Sequence, residues 1–162
     1  MPAELIILGV LAVMAASLWI PYIVGVNTAP AGSICTAVFN LFDCWIDEEL
    51  FDSRFDLAIR SWAQTDDALM ARVKAADSAR LGAMRAMLER HGQSPAMAAT
   101  RANTMIFTQV GYYTMRLGES VSDRLERMPP YVQVFTGEAP SEAETAEFFA
   151  RHGARRQGAL VP

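Results

Sequence analysis

The chain has 162 residues, 52% of them apolar, a formal net charge of -4 and two cysteines. That length and apolar share allow one packed domain plus a short accessory segment. Fourteen basic and eighteen acidic side chains, interspersed along the chain, exclude a general nucleic-acid surface, which requires clustered Lys and Arg.

Residues 5–26 are 22 positions without a charge. As a helix they measure about 33 Å, against a bilayer core of about 30 Å. Trp19 and Tyr22 suit the interfacial belt, and Pro21 would bend the last turn where water or headgroups can take the freed carbonyl. The spacing predicts a transmembrane anchor. A cleaved signal peptide is the rival, since Ala29-Pro30-Ala31 imitates a cleavage site. No Lys or Arg precedes the run, however, and it exceeds the usual 7–15 residue apolar region. Glu4-Leu5 through Trp19-Ile20-Pro21-Tyr22-Ile23 resembles the first membrane helix of MAPEG proteins. That family has four spans and binds glutathione with basic residues near its helix ends. Here one span is seen and no basic residue precedes Arg54, so the family's activity is not carried over.

Residues 27–33 (NTAPAGS) read as a linker, because Pro30 and Gly32 oppose continued helix. A leader without Lys or Arg, followed by an Arg-containing body, favours a single pass through a cell inner membrane with the body in the cytoplasm. Ile34–Ile46 (ICTAVFNLFDCWI) is apolar on most of its circumference and Ser33 can cap it. It belongs either in the domain core or with one face on the membrane. Cys35 and Cys44, nine residues apart on that helix, lie about 13 Å from each other along the axis and cannot pair. The acidic patch of Asp47, Glu48, Glu49 and Asp52 reads as a solvated turn and the start of the next helix.

Two helices follow between Arg54 and Leu88. Phe55, Ile59 and Trp62 recur at helical spacing in the first, and Leu69, Met70, Val73, Leu81, Met84 and Leu88 form a stripe in the second. Asp77 interrupts that stripe. A buried carboxylate requires a cation, which predicts an ion pair with Arg60 or Arg80; alternatively Asp77 sits at the stripe's wet edge. Thr65 is placed to cap the second helix, Gly92 to close it, and Ser94-Pro95 to start the next.

The run Ala58-Ile59-Arg60-Ser61-Trp62-Ala63, then Asp77-x-x-Arg80-Leu81, Gly92 and an Ala-rich helix ending in aromatics, resembles the C-terminal regulatory domain of TetR-family transcriptional repressors. The resemblance covers residues 34–153. It implies an all-helical domain that dimerises through its last long helices and encloses a small-molecule pocket, here without the family's DNA-binding half.

Residues 102–115 (ANTMIFTQVGYYTM) are fourteen positions without a charge inside the helix expected over 95–117. The run is too short and too rich in Asn, Thr and Gln to span a membrane, so it should be buried on every side, by its own domain and by a second subunit. Ala102, Ile106, Val110, Gly111 and Leu117 are the candidate dimer interface, with Gly111 permitting close crossing. Trp62, Met105, Thr108, Gln109, Tyr112 and Tyr113 are the candidate wall of a pocket for a small apolar ligand; plain core and interface is the competing reading. Further on, Ser120 and Asp123 suggest a capped start, Met128-Pro129-Pro130 a break or kink, and Gly137 a stop. Ser141-x-x-Glu144 is a capping box for a last short helix docked by Phe148 and Phe149.

His91 and His152 each sit in Arg-His-Gly at expected helix ends, where capping explains them. No nucleophile-base order, phosphate loop or metal-ligand spacing occurs, so no catalytic residue, metal or cofactor is expected. The expectation is an all-α protein: a transmembrane helix (1–26), a linker (27–33), a TetR C-terminal-like helical domain (34–153) and a flexible tail (154–162). It would serve as a non-catalytic ligand-sensing and dimerisation module, or as an accessory subunit of a larger integral membrane complex.

Overall fold

The computed structural model describes residues 23–47 and 49–153. These are all-helical, with no strand among the described residues. The expected transmembrane segment lies outside them except for its last four residues, and so does the tail at 154–162. Among the described residues no helix is long and apolar enough to cross a membrane.

After helical residues 23–28 come α1 (Ile34–Ile46), α2 (Ser53–Ala63), α3 (Asp67–Arg90), α4 (Pro95–Met115), α5 (Val121–Thr136) and α6 (Glu142–Arg151). Each of the six starts on a Ser or Asp whose side chain accepts a backbone N–H: Ser33, Asp52, Asp66, Ser94, Ser120 and Ser141. The first turn's orphan donors are thus satisfied locally. For α3 the cap is Asp66, not the expected Thr65; the carboxylate accepts from Leu69, while the Thr65 hydroxyl donates backwards to the Trp62 carbonyl. Gly92 takes φ 87 after α3 and Gly137 takes φ 78 after α5. At Gly137 an L-residue would meet both the left-handed penalty of roughly 1–2 kcal/mol and the Arg101 guanidinium, which lies against the position of its missing Cβ.

The centre of the body is α1. Val38, Phe39, Leu41, Phe42 and Cys44 are at most 1% exposed, and the helix contacts α3, α5 and α6. Its all-round apolar surface is therefore covered by its own domain. The longest shared surface is the α3/α4 hairpin, joined through Met84, Met87 and Leu88 to Ala98, Ala102, Met105 and Ile106. The helix α5 runs through Pro129 and Pro130 without the expected break. Proline within a helix costs about 3 kcal/mol, but Leu125, Met128, Val132 and Phe135 are all buried along one face, each worth roughly 1.5–3 kcal/mol.

The end of the expected membrane segment and the first residue of the expected linker lie inside the body instead. Ile23 and Asn27 are 2% and 1% exposed, the Asn27 side chain donates to the Ile23 carbonyl at 2.7 Å, and Arg90 donates to the Asn27 carbonyl. At the start of α1, Glu144 closes the fold. Its carboxylate completes the α6 capping box with Ser141 and also accepts from Ser33 and Thr36 at the start of α1. One carboxylate serves two helix N-termini.

The hydrogen bonds from Ser33 and Ser141 hold the Glu144 carboxyl down to about 2. An unfolded glutamate titrates near 4.3. The folded pKa is depressed, so this contribution is complete above the unfolded value and is lost as pH falls through about 2. Urea unfolding followed against pH should therefore show Glu144→Gln less stable than the parent at pH 7, with the difference shrinking below about pH 4.5.

Candidate functional site

Between the main core and a smaller cluster of Ile59, Ala63 and Leu69 lies a layer of charge. Arg60 reaches both Asp77 oxygens at 2.7 Å and Asp56 at 2.6 Å. Arg80, 4% exposed, approaches Asp77 at 3.4 Å and Asp56 at 3.5 Å. Tyr113 on α4 donates its hydroxyl to Asp56. Burial would lower the Arg60 pKa, but Asp77 and Asp56 carry it above its ordinary value; burial and then the Asp56 charge push the Tyr113 phenol up. The guanidinium and the phenol thus both keep their protons at neutral pH.

On the far side of α2 from the small cluster opens a cavity of about 690 Å³, walled by Ser53, Arg54, Leu57, Ala58 and Ser61. Trp45 and Phe51 supply the aromatic floor, and Gln109, Tyr112, Tyr113 and Leu117 close it from α4 and the turn after it. A narrow slot of about 60 Å³ lies beside it, apolar through Phe42, Met128, Tyr131 and Phe135. Trp45, Gln109, Tyr112, Leu117, Glu119 and Arg124 line both spaces and so mark where they meet. The Arg124 guanidinium stacks 4.8 Å over the Tyr112 ring and donates to the Trp45 carbonyl at 2.9 Å. Glu119 is occupied by the Tyr112 hydroxyl at 3.0 Å and by Arg127. Burial, the largest effect, raises the Tyr112 pKa; the Arg124 charge opposes it and Glu119 adds to it.

Of the expected wall residues, Gln109, Tyr112 and Tyr113 line the wide cavity and Thr108 the slot. Met105 is fully buried in the main core, and Trp62 packs on the small cluster. Of the expected pairing residues, Ala102 and Ile106 face the core of their own body at 1% and 4% exposure, and Val110 packs against it. Leu117 belongs to the cavity, while Gly111 has open space above its Cα. The register of α4 explains this: Ala98, Ala102, Met105, Ile106 and Gln109 form its inner face. Its outer face shows Phe107 and Met115, 67% and 69% exposed.

Sequence reasoning missed Trp45 and Arg124, whose roles depend on helices distant in the chain. It also missed the pairing of His152 with Asp43 at 2.7 Å, which holds α6 on α1 with help from Arg151. His91 contacts the Met87 carbonyl at 2.9 Å. Cys35 and Cys44 are buried thiols that donate to the carbonyls of Glu138 and Asn40; burial raises the Cys35 pKa. Among the described residues no cluster of three or more His, Cys, Asp or Glu could hold a metal ion. No known family, no curated protein and no solved structure matches the chain.

The charged layer gives a direct test. Asp56→Asn removes a carboxylate from between Arg60, Arg80 and Tyr113, and breaking a buried pair typically costs about 3 kcal/mol or more. Urea unfolding should show a loss of that order. Arg85→Ala, which removes an exposed pair with Glu89, should change stability by less than about 0.5 kcal/mol.

Proposed function

We propose that the protein is a membrane-anchored, non-catalytic binding module of TetR-like design, with no nucleic-acid partner. The apolar segment ahead of residue 23 holds it at a cell inner membrane, the helical body takes up a small, largely apolar ligand, and two copies pair through the outer face of α4. The observation that carries the reading is the 690 Å³ cavity walled by Trp45, Phe51, Leu57, Tyr112 and Tyr113, within the size range of small-ligand sites. Pairing draws on Phe107 and Met115, 67% and 69% exposed in the stretch of α4 without charge. The rival, an accessory subunit of a larger integral membrane complex, uses the same exposed face differently.

The full chain in detergent is the material for the test. The neutral probe 2-naphthylmethanol at about ten times its dissociation constant should raise the melting temperature by about 3 °C. Ala58→Trp, which fills the cavity from α2, should abolish that rise. An equal rise in both proteins removes the cavity as the binding site. Sedimentation should give a dimer that Phe107→Glu converts to a monomer; a monomeric parent that co-isolates with an integral complex favours the accessory-subunit reading.

A further inference from the structure

Two buried donors lie beside the cavity. Among the described residues the Trp45 indole nitrogen and the Gln109 carboxamide nitrogen have no hydrogen-bond partner, although these residues are only 6% and 7% exposed. Buried polar groups are almost always satisfied, because an unmet donor forfeits its bonds to water without replacement. The two residues belong to different helices, α1 and α4, yet both line the wide cavity and the slot. One acceptor placed where those spaces meet is the simplest way to serve both.

The charge around that point selects the kind of acceptor. The whole chain carries -4, but among the described residues the wide cavity is lined by Arg54, Arg116 and Arg124 and by the carboxylate of Glu119. The charge of Glu119 is offset by Arg127, with which it is ion-paired. Arg124 is held at the junction by its stack on Tyr112 and its bond to the Trp45 carbonyl. Fixed donors plus a fixed cation in a partly desolvated site favour an anionic oxygen over a neutral one. The slot beyond is mainly apolar, through Phe42, Met128 and Phe135.

We propose that the cavity is a receptor for an amphipathic carboxylate: a carboxylate head accepts hydrogen bonds from Trp45 and Gln109 in the field of Arg124, and an apolar body fills the aromatic space around them. This rests on the cavity being the ligand site, and it adds the chemical class of the ligand.

Titration calorimetry of the full chain with 2-naphthoate and its uncharged counterpart 2-naphthylmethanol tests it. The parent should bind the carboxylate at least tenfold more tightly. Gln109→Leu should reduce that preference about tenfold while leaving the melting temperature of the ligand-free protein unchanged or higher, because it deletes an unmet donor rather than a contact. Trp45→Phe should weaken the carboxylate and spare the alcohol. Equal affinity of the parent for the two probes overturns the carboxylate head and leaves the cavity standing; a preference untouched by both substitutions overturns the assignment of Trp45 and Gln109. If neither probe binds the parent, the cavity reading falls with it.

Discussion

The charged layer of Asp56, Arg60, Asp77, Arg80 and Tyr113 is what places α2, and the cavity depends on that placement. The helix α2 has eleven residues, of which only Asp56, Ile59 and Ala63 are buried. So little apolar area cannot hold a short helix at a fixed distance from its neighbours. The ion pairs do it directionally: Arg60 grips α3 through two oxygens of Asp77, and Asp56 receives Tyr113 from α4. Desolvation offsets much of the attraction, so such a layer contributes more to position than to net stability. Because α2 is held on one side by charge, its other side, from Ser53 to Ser61, stands away from α4 and leaves the cavity open.

The same helices show which features of a sequence announce themselves. Caps are local, so Ser33, Ser94, Ser120 and the Ser141/Glu144 box were legible from a few residues each. Asp77 was legible because an acid in the middle of an apolar stripe calls for a cation, and both Arg60 and Arg80 reach it. What periodicity does not encode is which surface a stripe meets. Trp62 sits on an apolar face, but that face meets Leu69, not the cavity. The uncharged run on α4 suggested burial on every side, whereas the inner face alone takes Ala102, Met105 and Ile106 and leaves Phe107 outside.

Long-range polar contacts were the least legible. Tyr113 meets Asp56 across 57 positions, His152 meets Asp43 across 109, and Ser33 meets Glu144 across 111. Each residue has a sufficient local explanation, as a cap or an ordinary half-exposed polar group, and nothing nearby marks the second partner. The proline pair at 129–130 is the opposite case: the local rule was clear and tertiary burial overrode it, because α5 must continue to Phe135 to close the slot. Local propensity yields where several buried side chains depend on one helix axis.

An acidic chain comes to line its cavity with Arg54, Arg116 and Arg124 because of where its acids are engaged. Asp52 and Asp66 cap helices, Asp56 and Asp77 neutralise the buried arginines, Glu144 joins two N-termini, and Asp43 meets His152 and Arg151. Those contacts lie at helix starts and in the interior, where carboxylates are favoured by orphan N–H groups and by the helix dipole. The cavity is built from α2, the end of α4, the turn after it and the first turn of α5, where Arg116 takes the left-handed cap and Arg124 stacks on Tyr112. Caps and ion pairs therefore take up these acids, while Arg54, Arg116 and Arg124 line the cavity.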